Sequence, residues 1–362
     1  MLTGGASGYA AIQARVRVMY STLITPHFES RLCDIENLPG LVRMLGETPY
    51  EPFLTDTEVT EFTSGRTTYQ IKNRLADVYQ SIIRSAPKHT KTLLIELFRH
   101  FEIDNLKAIL RAIVAGSDRD QVREILFPLG SLAVLPIEKL LESETVDAAI
   151  EQLTHTPYYD TLSYAMKRYS DEHSLFPLEV ALDLNYWRQL WNDANHLKGR
   201  DRSQALHILG LLMDLNNLMW AMRYRVYHHL SEEEVINYTL PFGYRVRDDD
   251  IRSIAAGADI TRVVERIYPH LSDLPELSGE PENELPKLEI QLQRHFREQL
   301  NAVFIGYPFH IGLPLAYVLL LELELQDLTV LVEAKASQLP SKDFLPYLLL
   351  NADAVPEEAV YL

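Results

Sequence analysis

Apolar residues along this chain recur at spacings of three and four. In residues 94–114, LIELFRHFEIDNLKAILRAIV, the positions Leu94, Leu97, Phe98, Phe101, Leu106, Ile109, Leu110 and Ile113 form one stripe. A stripe of that kind is an amphipathic helix burying one face. The same spacing predicts helices over 9–24, 138–153, 205–230, 259–268 and 288–305. At 230–236, LSEEEVI, Ser231 and Glu234 predict a capping box, with Leu230 as its staple residue. No series of alternating strands accompanies these stripes, and the predicted class is all-α.

The stripes also repeat at long range. Thr48-Pro49-Tyr50 and Thr156-Pro157-Tyr158 lie 108 positions apart, and Leu38, Leu41, Val42 and Leu45 match Val146, Ala149, Ile150 and Leu153 at the same offset. Each stretch reads as a helix face ending at a stop, since Pro does not continue a helix. EIDNL (102–106), running on to Arg111, matches DLNNL (214–218), running on to Arg223, at an offset of 112. FPLG (127–130) matches LPFG (240–243) at an offset of 113. A fainter third copy aligns Ile251, Ile254, Ile260, Val263, Val264 and Ile267, and ELQDL (324–328) repeats DLNNL at an offset of 110. The third copy lacks Thr-Pro-Tyr and has Tyr268-Pro269 there instead. A period near 110 residues exceeds any solenoid unit. It predicts three similar helical repeats, at 1–130, 131–243 and 244–362.

Composition narrows the function. The formal net charge of −17 over 362 residues disfavours binding to nucleic acid or to bare anionic lipid. A single cysteine, Cys33, permits no disulfide within the chain and suits a reducing compartment. The longest apolar runs, 126–137 and 311–321, fall short of a membrane helix, so no direct membrane span is expected. The stretch 271–289, with three prolines and many acids, reads as an exposed loop, and GGASG (4–8) as a flexible arm.

Catalytic chemistry finds little support. Gly-x-x-x-x-Gly-Lys-Ser/Thr, Gly-x-Gly-x-x-Gly, Gly-x-Ser-x-Gly and His-Glu-x-x-His are absent from the sequence. The twelve histidines are scattered; His228 and His229 would point about 100° apart on a helix, and His155 falls in a turn. Cys33 could act as a nucleophile only with a nearby base such as His27. The acid clusters Glu232–Glu234, Asp248–Asp250 and Glu276–Glu284 fall at helix starts or in loops, where acids complement the helix dipole. Glu102, Asn105 and Arg111, and again Asp214, Asn217 and Arg223, sit on otherwise apolar helices. Recurrence in two repeats points to fixing register or tying loop backbone, since a catalytic centre would occur once. No catalytic, cofactor-binding or metal-ligating residue is assigned.

Four stretches together resemble a known family. YAAIQARVRVMYSTLI (9–24), FEIDNLKAILRAI (101–113), MDLNNLMWAMRYRVYHHLSEEEV (213–235) and GYPFHIGLPLAYVLLLELELQDLTVLVEAK (306–335) are similar, in order, to segments of the C subunit of archaeal and bacterial V/A-type ATPases. That subunit is homologous to the d subunit of the eukaryotic vacuolar ATPase. The chain departs from the pattern at Leu320–Leu321, where a basic residue is usual, at Asp327, where Asn is common, and in long loops expected at 165–205 and 271–289.

The resemblance implies a funnel of three helical subdomains with pseudo-threefold symmetry. It implies a non-catalytic rotor subunit without cofactor or metal, one copy per complex. Its partners would be the central shaft subunits and the proteolipid ring, and its location cytoplasmic and peripheral to the membrane. A helical adaptor for another partner and a helical-bundle enzyme are the competing readings.

Overall fold

The computed structural model describes residues 4–54, 62–228, 230–271, 274–275 and 281–349. Among the described residues every regular element is helical, as the stripes predict. The chain opens with α1 (Gly4–Tyr20), α2 (Pro26–Cys33), α3 (Leu38–Leu45) and the single turn α4 (Glu51–Leu54). It continues through α5 (Ser64–Ser85), α6 (Lys91–Ala115), α7 (Arg119–Ile125), α8 (Ile137–Leu141), α9 (Val146–Glu151), α10 (Tyr159–Glu172) and α11 (Phe176–His196). The remainder is α12 (Gly199–Val226), α13 (Glu232–Asn237), α14 (Asp248–Ala255), α15 (Ile260–Ile267), α16 (Pro281–Ala302), α17 (Gly312–Ala336) and α18 (Ser341–Phe344).

Two compact units result. One joins residues 1–71 to 198–362, and the other is 72–197. In the first, α17 is buried on all sides over residues 312–321 and shows one partly exposed face beyond them, and α1, α3, α12 and α16 pack around it. A segment apolar all round has no solvent face, which explains why no stripe marks the first half of α17 in the sequence. In the second, α6 is the central helix, flanked by α11 and by the short α7, α8 and α9.

Four expectations fail in whole or in part. GGASG is the first part of α1 rather than an arm. The single helix expected over 138–153 is two, because Thr145 caps α9 by accepting from the Ala148 amide. The loop expected at 165–205 is the end of α10, α11 and the start of α12; Leu178, Leu182, Tyr186, Leu190 and Ala194 are buried at strict spacings of four.

The loop expected at 271–289 is also helical in its second half. Pro281 and Pro286 both lie within α16, and Leu285 and Leu288 are fully buried. An interior Pro has no N–H for the carbonyl four residues back. Here that carbonyl, on Glu282, accepts instead from the Tyr227 hydroxyl at 3.0 Å. Residues 272–273 and 276–280 lie outside the described residues.

Helix α12 is long and apolar enough to cross a membrane by length and composition, but 67% of its apolar window is buried inside the protein. It is a core helix of the first unit. Asp214 and Asn217 interrupt its apolar run, so the sequence does not single it out.

Candidate functional site

The sequence features that repeat turn out to touch one another. Glu102 on α6 is 2% exposed, and its Oε1 accepts the amides of Val134 (2.6 Å) and Leu135 (3.0 Å). Its Oε2 accepts the Tyr158 hydroxyl at 2.5 Å and Arg99 at 3.1 Å. Three residues on, Asn105 accepts the Phe127 amide at 2.7 Å and donates to the Phe127 carbonyl at 2.9 Å. Phe127 opens FPLG and Tyr158 closes Thr-Pro-Tyr.

The same contacts occur on α12. Asp214, fully buried, accepts the amides of Tyr244 (2.8 Å), Arg245 (2.7 Å) and Val246 (3.1 Å), and its charge acts on the buried Tyr268 hydroxyl. Asn217 accepts the Leu240 amide at 2.8 Å and donates to the carbonyls of Leu240 and Phe242 at 3.0 and 3.1 Å. Leu240 opens LPFG, and Tyr268 stands where the third copy has lost Thr-Pro-Tyr.

They occur again on α17, this time with the far end of the chain. Glu324 Oε2 accepts the Ile24 amide at 2.5 Å, and its Oε1 accepts the Tyr50 hydroxyl at 2.9 Å across 274 residues of sequence. Asp327 accepts the Leu349 amide at 2.7 Å. Each joint thus consists of a carboxylate holding loop backbone beside a buried tyrosine, with an Asn or Asp one turn later holding a second loop. Hydrogen bonds to a charged acceptor are the stronger kind, and these replace water at buried amides.

The arginines that follow are paired alike. Arg111 makes a bidentate contact with Glu179 (2.6 and 2.8 Å), and Arg223 with Glu289 (2.6 and 2.7 Å). Thr48 and Thr156 each donate to the carbonyl three residues back and accept the amide of the following Tyr. The Thr-Pro-Tyr segments follow α3 and α9 as turns, and they aim Tyr50 and Tyr158 into the core.

Electrostatics fits this structural use. Burial pushes Asp214 up to about 6, while its three backbone donors pull it back down. Burial, then the Asp214 charge, holds the Tyr268 hydroxyl above its ordinary value, so it stays protonated at neutral pH. Burial also pushes the Cys33 thiol up to about 12, which leaves it protonated and unsuited to nucleophilic attack. His295 lies 3.3 Å from His270, and burial followed by the charges of His270 and Arg245 brings it down to about 4. His229 lies outside the described residues. Among the described residues no three His, Cys, Asp or Glu are grouped so as to hold a metal. The acid clusters at 232–234 and 248–250 occupy the first turns of α13 and α14, where Glu234 and Asp250 receive the Ser231 and Arg247 amides.

Gly243 shows how tightly the second joint is built. A Cβ there would lie 2.3 Å from Asp214 Oδ1 and 3.1 Å from the Val246 carbonyl oxygen. Gly243→Ala is expected to lower stability by about 1–3 kcal/mol through overpacking. A shift of the urea midpoint at unchanged slope would register it; an unshifted midpoint would show that the loop has room to give.

An all-α protein in which buried acids hold distant parts of one chain together is the class defined by this fold and these joints. Comparison with known proteins gives the family. The family described as ATP synthase (C/AC39) subunit matches residues 12–345, and the chain belongs to it. It is 23% identical to the C subunit of the A-type ATP synthase of Methanocaldococcus jannaschii over 94% of this chain and 86% of that one. It is 25% identical to the same subunit of Archaeoglobus fulgidus over 94% and 96% of the two chains. With the Haloferax volcanii subunit it shares 23% identity over the full length of both.

Proposed function

We propose that this chain is a non-catalytic rotor subunit of a rotary V/A-type ATP synthase, joining the central shaft to the membrane proteolipid ring and passing torque between them. Its partners are the shaft subunits and the ring, at one copy per complex, and it sits in the cytoplasm, peripheral to the membrane. The observation that carries this reading is the family match along nearly the whole chain. The joints support it, because a part that transmits torque must not yield. Packed helices are poorly compressible, and buried charge-assisted hydrogen bonds resist sliding of one helix past another.

The reading includes three similar subdomains, 1–130, 131–243 and 244–362, in a funnel with pseudo-threefold symmetry. Each repeat sets its carboxylate against the tyrosine of the next: Glu102 accepts Tyr158, the Asp214 charge acts on Tyr268, and Glu324 of the last accepts Tyr50 of the first. On this reading the first repeat's opening residues complete the last.

Reconstitution tests the proposal. A complex assembled without this chain is expected to hydrolyse ATP in its detached head but to pump no ions, and adding the chain is expected to restore pumping. Coupled pumping in its absence would overturn the rotor role. The net charge of −17 adds an expectation: association with basic partner surfaces slows as salt rises. An association rate equal at low and high salt would remove that electrostatic contribution.

A further inference from the structure

One of the three joints carries a carboxyl pair that the other two lack. The helix pairs α2–α3, α8–α9 and α14–α15 align, down to the caps Asn37, Thr145 and Asp259, each of which accepts the amide three residues on. In that alignment Glu29 occupies the position of Ile137 and Ile251, and Asp327 that of Asn105 and Asn217. Both departures fall where the N-terminal segment meets α17. Glu29 is 1% exposed, and neither of its carboxyl oxygens has a hydrogen-bond donor among the described residues. An ionised carboxylate in such a place would be desolvated with nothing to replace its water.

We propose that Glu29 is held protonated against the Asp327 carboxylate, and that this retained proton fastens α2 to α17. The surrounding charges agree. From α17, Asp327 and Glu324 both oppose ionisation of Glu29. From α16, Arg297 favours it, and Arg294 feels the fields of both Asp327 and Glu29 while donating to the Leu348 carbonyl. On α2 itself Cys33 stays a neutral thiol, and the charge of Lys335 acts on it as that lysine donates to the Cys33 carbonyl. Burial first and the Asp327 charge second push Glu29 from 4.5 to about 9.

The direction of the pH effect follows. The closed state binds a proton that the opened, hydrated carboxyl loses near 4.5, so closure is strongest in acid and weakens as pH rises toward about 9. Opening releases that proton to solvent. For one retained proton the opening constant grows about tenfold per pH unit through this window.

Hydrogen exchange of the α2 amides in the full chain, measured between pH 6 and 9 and corrected for intrinsic rates, tests the proposal. Wild type is expected to open about tenfold more per pH unit. Glu29→Gln, which imitates the protonated form, and Glu29→Ile, the residue at the two aligned positions, are expected to give flat profiles. Asp327→Asn keeps the slope but ends it at lower pH, since the opposing charge is gone. A flat wild-type profile would overturn the proposal without any variant, and so would a slope that persists unchanged in Glu29→Gln.

Discussion

Asp214→Ala is expected to lower the unfolding free energy by about 3–5 kcal/mol, as removal of one partner from a buried charged network does. The reason is the number of donors stranded. The amides of Tyr244, Arg245 and Val246 all converge on this carboxylate. Each donor left buried without a partner costs about 1–3 kcal/mol, and partial rehydration of the loop limits the sum. Asp214→Asn keeps one acceptor oxygen and is expected to lose less than half as much. Urea unfolding at pH 7 measures both. Equal losses for Ala and Asn would mean that the charge matters and the geometry does not. A loss below about 1 kcal/mol for Ala would mean the loop re-solvates freely, and the joint would then be dispensable.

The second large effect is expected at the seam between the chain's two ends. Glu324 is the acceptor for both Ile24 and Tyr50, so Glu324→Ala strands an amide and a buried hydroxyl together. The loss is about 2–4 kcal/mol and falls on attachment of α2–α4 rather than on the whole chain. Limited proteolysis reads such local opening, and cleavage within residues 20–54 is expected to accelerate by roughly 10²-fold. Tyr50→Phe removes one hydrogen bond and leaves the Ile24 contact, so its effect is smaller, about 1 kcal/mol. Acceleration spread evenly over the chain would contradict the assignment of Glu324 to this seam. Because Glu29, Glu324 and Asp327 share one cluster, double variants among them are not expected to be additive.

The sequence carries a great deal of this protein. Periodicity of three and four establishes the helical class, because an amphipathic helix must present its apolar residues on one side. Local chemistry is equally legible where it is local: the Ser231–Glu234 capping box forms as spaced. The role of Glu102, Asn105, Asp214 and Asn217 in tying loop backbone also follows from sequence, since a polar residue on an apolar helix must find a partner. Stripes fail where burial is complete or apolar residues lie on several faces. The first half of α17 is apolar on every side and so has no stripe, and the row of every fourth residue on α11 is blurred by further apolar positions such as Val180, Leu184 and Trp187.

What the sequence by itself determined, then, is the helical class, the buried polar pairs and the recurrence of three short motifs. Only the tertiary structure decided that these motifs are halves of one contact: acid with Tyr, Asn with the first residue of FPLG or LPFG. It also decided that Glu324 takes its tyrosine from residue 50, and that Glu29 and Asp327 meet. The physical reason is separation. Helix formation and capping are settled within a few residues by backbone hydrogen bonds. A carboxylate accepts any well-placed donor, and which donor reaches it depends on how packing brings together segments up to 300 residues apart in sequence.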